Sequence, residues 1–483
     1  MRTDPTLKRA LAFLAVVLLA VPASAATLFV AVVDCQVCTG LRVALSLGVE
    51  VADLETGDAV YSRLPDRPRI LASNTKLFTT AAALDAMGPG YFFETRFLER
   101  GVVAEGRLDG DLAVVGGGDP NISGRLYDGD PYAVFRGWAA ALKARGIYRV
   151  DGDLYLDHGL FEGPTIHPDW PARDRQKWYQ APISALSFSD NCLLVRIDPA
   201  SRAGAPARVE VVPRLPLFRV ENRARTADSR RQHNAGVVRA QEDHQLTVFG
   251  SVYRKADPVE TWVVVPDPVE YFGAALVAAL AEEGIEVAGR PRPVERLPGL
   301  IWDTVAVHRS DLLTTIEITN KRSQNFYAES LLKALGAAAC SRGTWEAGIE
   351  AVAEFLEKIG IARGGYLMVD GSGLSRNDRF SPRQVVQLLR SMYFHPFGRE
   401  FLRSLPFSGE EESSWKQRLA EPPYAGNVFA KTGTILGVST LSGYAKARSG
   451  KLYAFSILCN DVRSTGEARR LQDRVVRAIV DHG

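Results

Sequence analysis

The sequence predicts an α+β protein in which an antiparallel sheet packs on helices, with a β-rich segment inserted as a unit of its own. Three observations indicate this class. Helical periodicity of apolar residues is found near the start of the chain and again after about residue 266. The segment 93–265 instead consists of short apolar runs broken by Gly, Asp, Asn and Pro. Strand-like runs and one last helical pattern close the chain.

Local patterns predict the individual elements. Residues 43–61 predict two short strands around a turn at Gly57, because a Gly-Asp pair separates two strand-like runs. Residues 74–87 predict a helix, since apolar residues recur at helical spacing until a Gly-Pro pair, and Ser73 before them is a good N-cap residue. Further helical patterns cover residues 271–283, 326–335, 348–358, 382–392 and 466–480, and strand-like runs cover 440–446 and 452–458.

The first 25 residues have the layout of a secretory signal peptide. Basic residues precede an uncharged apolar run over residues 10–21, and Pro22 and the small residues 23–25 follow it. As a helix this run would span roughly 18 Å, whereas the hydrocarbon core of a bilayer is roughly 30 Å thick. We therefore expect cleavage after Ala25, export of the mature chain, and no integral membrane span after cleavage.

Length and charge bound the remaining possibilities. At 483 residues with 46% hydrophobic residues, the chain is long enough for two or three domains with real cores. Without the first 25 residues it keeps 55 basic and 55 acidic residues, so its net charge is near zero. This balance gives no indication of a nucleic-acid partner. The Arg-rich segment 223–231 is interpreted as a solvated loop.

Five cysteines in an exported chain permit disulfides, but an odd number leaves at least one thiol unpaired. Cys35 and Cys38 form one Cys-x-x-Cys motif without a second, which we interpret as a local bridge or inert thiols. The histidines include no His-x-x-x-His pair, so no metal site is expected. The other cysteines are Cys192, Cys340 and Cys459.

Three short motifs carry the groups needed for acyl transfer through a serine nucleophile. Ser73 and Lys76 are three residues apart, so on a helix they share a face and the amine comes within reach of the hydroxyl. A lysine that is partly desolvated among other cations loses proton affinity and can act as a base. The motifs are Ser73-Asn-Thr-Lys76, Ser323-Gln-Asn325 and Lys431-Thr-Gly433.

Each motif alone is weak, because the chain contains further matches to two of them. Ser73 is favoured because it combines an N-cap position with a clean helical pattern behind it. Ser323 is favoured over Ser189, which lies in the inserted segment, although the middle Asp190 is closer to the lactamase form than Gln324. The further matches are Ser330-Leu-Leu-Lys333, Ser413-Ser-Trp-Lys416, Ser189-Asp-Asn191 and Ser375-Arg-Asn377.

Taken together, the motifs resemble the class C low-molecular-mass penicillin-binding proteins, which are D-alanyl-D-alanine carboxypeptidases and endopeptidases. The resemblance extends over nearly all of the predicted mature chain. One departure is the segment 410–416, which stands where the family often has a Gly-Thr-Leu turn. The segments that carry the resemblance are Leu71–Leu77, Gly116–Pro120, Ala181–Ser187, Asn325–Glu329, Asp370–Arg376, Lys431–Thr434 and Leu441–Tyr444.

The resemblance implies a penicillin-recognising, β-lactamase/transpeptidase-like domain formed by residues 26–92 and 266–483. Two β-rich inserted domains, within 93–265, would split it. It also implies peptidoglycan peptides and β-lactams as ligands, a secreted, periplasmic location, and no metal or organic cofactor.

The resemblance further implies a role for each site residue. Ser73 is the nucleophile, Lys76 takes its proton, and Ser323 with Asn325 passes a proton to the leaving amine. The carboxylate of the substrate would be held by Lys431 and Thr432, next to Gly433, and the oxyanion by the N–H groups of Ser73 and Thr434. Arg376 would line the same cleft. Asp174, in the loop Trp170–Tyr179, would pair with the free amine of the peptidoglycan side chain, the alternative being a solvated loop aspartate.

Two other functions share these features. A β-lactamase would use the same groups, but the sequence shows no dedicated deacylation base and the insert is too large for the common lactamase layout. A peptidoglycan-binding protein without activity would keep the fold, yet the intact set of motifs argues against it. The sequence therefore favours a serine D-Ala-D-Ala carboxypeptidase that is also a D,D-endopeptidase.

Overall fold

A computed structural model describes residues 33–34, 44–240, 243–299, 301–411, 413 and 415–483. The predicted signal peptide and the Cys35/Cys38 pair lie outside the described residues. The described chain divides into two compact units. The first unit contains the described residues up to Asn74 together with 361–367 and 378–483, and the second unit contains 75–360 and 368–377.

The helices and strands alternate in blocks along the chain. The helices of the described residues are α1 (Thr75–Met87), α2 (Ala133–Ala144), α3 (Pro268–Glu282), α4 (Leu312–Lys321), α5 (Asn325–Cys340), α6 (Trp345–Lys358), α7 (Pro382–Tyr393), α8 (Gly398–Ser404) and α9 (Thr465–His482). The strands are β1 (Ala44–Asp53), β2 (Ala59–Arg63), β3 (Arg69–Ile70), β4 (Phe92–Ala104), β5 (Arg107–Val115), β6 (Arg149–Val150), β7 (Leu154–Asp157), β8 (Cys192–Asp198), β9 (Arg208–Val212), β10 (Arg219–Asn222), β11 (Arg225–Ala227), β12 (Gly236–Arg239), β13 (Gln245–Phe249), β14 (Ser251–Tyr253), β15 (Val259–Val264), β16 (Glu286–Val287), β17 (Pro291–Val294), β18 (Asp303–Asp311), β19 (Arg379–Phe380), β20 (Val428–Ile435), β21 (Val438–Lys446) and β22 (Leu452–Val462).

The first unit is built on a five-stranded antiparallel sheet with strand order β2-β1-β22-β21-β20. Along β22, alternate side chains such as Phe455 and Ile457 pack in one core with Leu471 and Val475 of α9. The intervening Ser456 is buried as well, so the sheet is covered on both of its faces. β20 is the edge strand of this sheet and pairs along its whole length with β21.

The second unit contains a seven-stranded mixed sheet in which β5 pairs with β4 antiparallel and with β6 and β7 parallel. Smaller sheets are formed by β15-β8-β9, β10-β13-β12 and β11-β14. The main core joins α2 and α3 to these strands, and the ring of Trp138 stacks on that of Phe97 at 4.9 Å between centroids. Phe135 meets Phe272 edge to face at 5.0 Å.

Helix α1 lies at the centre of a helical layer in the second unit, where it packs against α4, α5 and α6. Its residues Thr75–Leu84 are all buried, so it is enclosed on every side instead of presenting one apolar stripe. A polar side chain on this helix must therefore find its partners inside the protein, and Lys76 is such a side chain.

The structure confirms the α+β class and most of the predicted elements. The predicted helix 74–87 corresponds to α1, the patterns at 271–283, 326–335, 348–358, 382–392 and 466–480 correspond to α3, α5, α6, α7 and α9, and the hairpin at 43–61 corresponds to β1 and β2. The turn of this hairpin uses Gly57 with φ of 81°.

The description of residues 93–265 as strands and turns was incomplete, because they also contain α2. Its apolar residues, among them Phe135, Trp138 and Leu142, do recur at helical spacing. The N-cap position is Tyr132, which makes no side-chain cap hydrogen bond, so the usual start signal is missing. Helices α4 and α8 were also not predicted.

Replacing Trp138 by Ala should destabilise the protein by about 3 to 5 kcal/mol, because it removes a large aromatic side chain from a closed core. Trp138 is 3% exposed, whereas Trp178 is 43% exposed and serves as the matched control. Chemical unfolding followed by circular dichroism measures the difference. A Trp138→Ala protein as stable as Trp178→Ala would contradict the assignment of this core.

Candidate active site

The segment around Ser73 combines a partly exposed serine with a constrained backbone. Ser73 lies in a 3₁₀ turn, Ala72–Asn74, that leads directly into α1. Ala72 is buried and has φ of 47°, a left-handed conformation that is rare for a residue with a Cβ. Ser73 is partly exposed although its neighbours on both sides are buried. Ser73 therefore lies within this turn and not at the predicted N-cap position immediately before a helix that starts at residue 74.

Within the first unit, Asn74 joins the serine turn to the strands. Its Nδ2 donates to the backbone oxygen of Lys431 at 2.7 Å, and its Oδ1 accepts from Ser442 Oγ at 3.0 Å. Thr440 Oγ1 donates to the oxygen of Leu71 at 2.8 Å. These buried hydrogen bonds fix the turn that carries Ser73 against β20 and β21.

The Lys-Thr-Gly motif lies on β20, beside this turn. Lys431 is buried and its Nζ donates to the oxygen of Thr432 at 2.9 Å, while Thr434 is exposed. A Cβ built on Gly433 would lie 2.6 Å from the oxygen of Leu71 and 3.0 Å from the nitrogen of Ser73. The strand therefore approaches the serine backbone so closely that only glycine fits.

Within the second unit, Lys76 is fully buried on α1 and is held by two acceptors. Its Nζ donates to Asn325 Oδ1 at 2.7 Å and to the backbone oxygen of Ser372 at 2.8 Å. Asn325 is the first residue of α5, and its Nδ2 donates to the backbone oxygen of Tyr179 at 2.9 Å. An amine, an amide and two backbone carbonyls thus form one connected network.

Ser323 lies two residues before Asn325, at the entry to α5, and is half-buried. Its φ of 55° is left-handed, a conformation that costs a non-glycine residue about 1 to 3 kcal/mol and is concentrated at functional sites. The Ser-x-Asn motif thus lies at the start of α5, with Ser323 just before the helix and Asn325 as its first residue.

The loop predicted to recognise an amine is connected to the same network. Asp174 ends the 3₁₀ turn Ala172–Asp174 and lies 3.6 Å from the guanidinium of Arg173. Burial, followed by the charge of Asp174 and a hydrogen bond to it, raises the pKa of the Tyr179 hydroxyl. Since the backbone oxygen of Tyr179 binds Asn325, the carboxylate of Asp174 is two residue contacts from the Ser-x-Asn motif.

Arg376 is exposed and follows a turn, Asp370–Ser375, whose residues are buried. The backbone oxygen of Ser372 in this turn is the second acceptor of Lys76. This contact was not predicted from the sequence, because a backbone carbonyl has no residue signature.

The other motif matches occupy structural positions. The side-chain amide of Asn191 is buried and donates to the oxygen of Pro182 at 2.8 Å and to Ser187 Oγ at 3.1 Å. Lys333 Nζ donates to the oxygen of Glu162 at 2.9 Å and lies 4.3 Å from the ring centre of Trp345. Asp190 pairs with Arg125, Ser375 Oγ binds Asp169, and Ser413 Oγ binds the oxygen of Glu410.

In the segment that replaces the family turn, 410–416, Trp415 is buried in the core of the first unit. The guanidinium of Arg418 lies over its ring at 4.8 Å from the centre. This part of the segment is thus anchored by packing instead of by a glycine turn.

Further features of the described residues bear on the class of site. They contain no group of three or more His, Cys, Asp or Glu placed to hold a metal ion, and no helix long and apolar enough to cross a bilayer. Cys192, Cys340 and Cys459 are free thiols, and burial raises the pKa of Cys459 to about 12. This buried thiol is therefore a packing residue and not a nucleophile.

Comparison with known proteins gives matches over most of the chain. The model of the D-Ala-D-Ala carboxypeptidase 3 (S13) family matches residues 42–480. A D-alanyl-D-alanine carboxypeptidase of Actinomadura sp. is 34% identical over 429 residues, which cover 86% of this chain and 77% of that protein. The D-alanyl-D-alanine carboxypeptidase DacB of Haemophilus influenzae is 29% identical over 413 residues, covering 84% of this chain and 83% of that protein.

The fold is also found in a solved structure. The crystal structure of penicillin binding protein 4 (dacB) from Haemophilus influenzae matches with a TM-score of 0.79 and 26% sequence identity, covering 92% of this chain and 97% of that one. These matches confirm the family resemblance and the fold class predicted from the sequence. The chain belongs to the D-Ala-D-Ala carboxypeptidase 3 (S13) family.

Proposed function

We propose that this protein is a serine-type D-Ala-D-Ala carboxypeptidase that acts on peptidoglycan stem peptides through an acyl-enzyme on Ser73. The observation that carries the proposal is the position of Lys76. Lys76 follows the partly exposed Ser73 by three residues, and its buried amine donates to Asn325 Oδ1 and to the backbone oxygen of Ser372. The family of the chain supports the same reaction.

The reaction begins with attack of Ser73 Oγ on the carbonyl carbon between the two D-alanines. A C–O bond forms, and the Oγ proton passes to Lys76 Nζ. Lys76 passes this proton to Ser323, which lies with Asn325 in the Ser-x-Asn motif, and the Ser323 hydroxyl gives its own proton to the leaving nitrogen as the C–N bond breaks and D-alanine departs. Water then attacks the acyl carbon and gives a proton to the neutral amine of Lys76, the C–O bond to Ser73 breaks, and Lys76 returns the proton to the Ser73 oxygen.

The position of β20 in the first unit supports substrate binding at this serine. β20 is an edge strand of its sheet, and beyond the part that pairs with residues 406–408 it can offer its backbone to an extended peptide. We assign the terminal carboxylate of the substrate to Lys431 and Thr432. The N–H groups of Ser73 and Thr434 are assigned to the developing oxyanion, where one donor contributes about 3 kcal/mol.

The same chemistry extends to two related substrates. A β-lactam presents a strained amide to Ser73 and forms an acyl-enzyme in the same way, so penicillin should label the protein covalently. A cross-linked stem peptide carries the same D-alanyl carbonyl followed by a larger amine, and its cleavage would be a D,D-endopeptidase reaction. Arg376, exposed beside the Asp370–Ser375 turn, would line this cleft.

Two further parts of the proposal concern the organisation and location of the protein. The catalytic domain comprises residues 26–92 and 266–483, with two inserted domains within 93–265. The signal-like layout of residues 1–25 supports export to the periplasm, where peptidoglycan lies.

The Ser73→Ala protein should release no D-alanine from a pentapeptide ending in D-Ala-D-Ala and should take up no fluorescent penicillin, because the attacking oxygen is gone. Ser330→Ala is the matched control, since Ser330 belongs to a rejected motif and is buried in α5. Release of D-alanine is measured with a coupled oxidase assay. Normal turnover by Ser73→Ala would rule out this nucleophile, whereas Ser330→Ala should keep its turnover.

Replacing Gly433 by Ala should reduce acylation by penicillin about 100-fold or more, since even a displacement of about 1 Å at a reacting group has an effect of that size. The new methyl group would lie 2.3 Å from Thr440 Oγ1 and 2.6 Å from the oxygen of Leu71, next to Ser73. Gly137→Ala, where a Cβ meets nothing within 4 Å, is the control. Equal acylation rates in the two variants would contradict the proposed role of this strand.

Asp174→Asn should raise KM for a stem peptide with a free side-chain amine about 10-fold, because an ion pair at a partly desolvated site is lost. The same variant should have an unchanged KM for the peptide in which that amine is acetylated. Steady-state kinetics with both peptides measures the difference. An equal change in KM for both would assign Asp174 a structural role only.

A further inference from the structure

Two buried carboxylates converge on one backbone N–H in the loop that carries the acceptor of Lys76. Glu329 on α5 and Asp370 at the start of the loop are both fully buried. The N–H of Ser372 donates to Glu329 Oε1 at 2.8 Å and to Asp370 Oδ1 at 3.2 Å. The oxygen of the same residue accepts from Lys76 Nζ at 2.8 Å. Ser372 thus lies between the carboxylates and the amine.

Glu329 binds the loop and the next helix at the same time. Its Oε2 accepts from the N–H of Gly371 at 3.1 Å and from Trp345 Nε1, on α6, at 2.8 Å. A Cβ on Gly371 would lie 2.8 Å from the oxygen of Ala328, so the loop is pressed against α5. The loop therefore cannot move away from α5 without breaking buried hydrogen bonds.

Asp370 closes the loop on itself. Its Oδ1 accepts from the N–H of Gly373 at 2.6 Å, and its Oδ2 accepts from the N–H of Ser375 at 2.6 Å and from Trp170 Nε1 at 2.9 Å. Trp170 belongs to the loop that also contains Asp174. The contacts of both carboxylates described here are all made by N–H donors, so both side chains act here as acceptors.

The carbonyl side of the loop faces α1. Thr79 Oγ1 donates to the oxygen of Gly371 at 2.8 Å, one helical turn after Lys76, which binds the oxygen of Ser372. The peptide groups of this loop are consequently oriented with their N–H groups toward Glu329 and their carbonyls toward α1. Their carbonyl oxygens are thus turned toward the buried amine of Lys76 and the hydroxyl of Thr79.

We propose that Glu329 and Asp370 are positioning residues for acylation, which fix the Ser372 carbonyl and through it hold Lys76 Nζ at the place where it receives the Ser73 proton. Neither carboxylate touches the substrate in this account. The inference rests on the proposed function, since it gives the buried pair a part in the acylation step.

Opposing influences act on the pKa of Glu329, because burial and the charge of Asp370 raise it whereas its N–H donors lower it. Burial, and then the charge of Asp370, raises the pKa of Glu329 to about 8. Glutamine has nearly the shape of glutamic acid and carries no charge, but it replaces one acceptor by an NH₂ donor that would face the existing N–H donors. Glu329→Gln therefore tests the acceptor geometry of the two carboxylates around the Ser372 N–H.

The test is stopped-flow acylation of the full-length protein by a fluorescent penicillin, which separates the dissociation constant of the first complex from the acylation rate constant. We expect Glu329→Gln to lower the acylation rate constant about 100-fold, as for a misplaced catalytic group, and to change the dissociation constant less than about 3-fold. The matched control is Leu335→Ala, a buried core residue further along α5. It should melt at a lower temperature, yet acylate within about 3-fold of the unaltered protein when assayed below its melting temperature.

A double-mutant cycle adds a readout that a merely structural role would not produce. Because both carboxylates act on the N–H of Ser372, Glu329→Gln and Asp370→Asn together should slow acylation far less than the product of their separate effects. The inference would be overturned if the effects of the two substitutions on the acylation rate constant multiplied. It would also be overturned if Glu329→Gln and Leu335→Ala had equal acylation rate constants. Absence of acylation in the unaltered protein would instead refute the proposed function.

If Glu329→Gln does not fold, Thr79→Val tests the same loop from its carbonyl side. This substitution removes the donor to the Gly371 oxygen with little change in shape, so acylation should slow about 5-fold for one lost hydrogen bond. An unchanged acylation rate constant in a folded Thr79→Val protein would overturn the inference.

Discussion

The placement of the buried Lys76 amine is the constraint on which the rest of the site depends. Lys76 is enclosed in a helix that is buried on every side, and its Nζ is compensated by Asn325 Oδ1 and the Ser372 oxygen. A buried amine without hydrogen-bond partners would cost about 1 to 3 kcal/mol, so these acceptors must be in position whenever α1 is packed. The start of α5 and the loop after Asp370 are therefore tied to α1.

The same requirement explains why the two groups that bind Lys76 Nζ are themselves hydrogen-bonded. The Ser372 carbonyl can serve as an acceptor because its own N–H is bound by Glu329 and Asp370. Asn325 can turn its oxygen to the amine because its nitrogen is bound by the Tyr179 oxygen. In the first unit, Asn74 and Gly433 set the serine turn against β20 by a comparable combination of buried hydrogen bonds and close backbone approach. Lys76, Asn325 and the turn that carries Ser73 are thus each oriented by a second group.

Much of this site could be predicted from the sequence, since its side chains belong to motifs with a physical reason for their spacing. Ser73 and Lys76 are joined by a helical spacing, and Asn325 was preferred to Asn191 by its place outside the inserted segment. The structure places Asn325 next to Lys76 and gives Asn191 backbone partners. What could not be predicted are the acceptors from Ser372 and Tyr179, because backbone carbonyls leave no trace in residue identity. Helix α2 was missed for a related reason, the lack of a cap residue at Tyr132.

The central claim, an acyl-enzyme on Ser73, is tested most directly by mass spectrometry of the penicillin-treated protein after digestion with trypsin. Cleavage after Arg69 and Lys76 yields a peptide, residues 70–76, in which Ser73 is the one serine. The account predicts that this peptide carries the added mass of one penicillin. An adduct on the peptide 323–333, which contains Ser323 and Ser330, with residues 70–76 unmodified would contradict it.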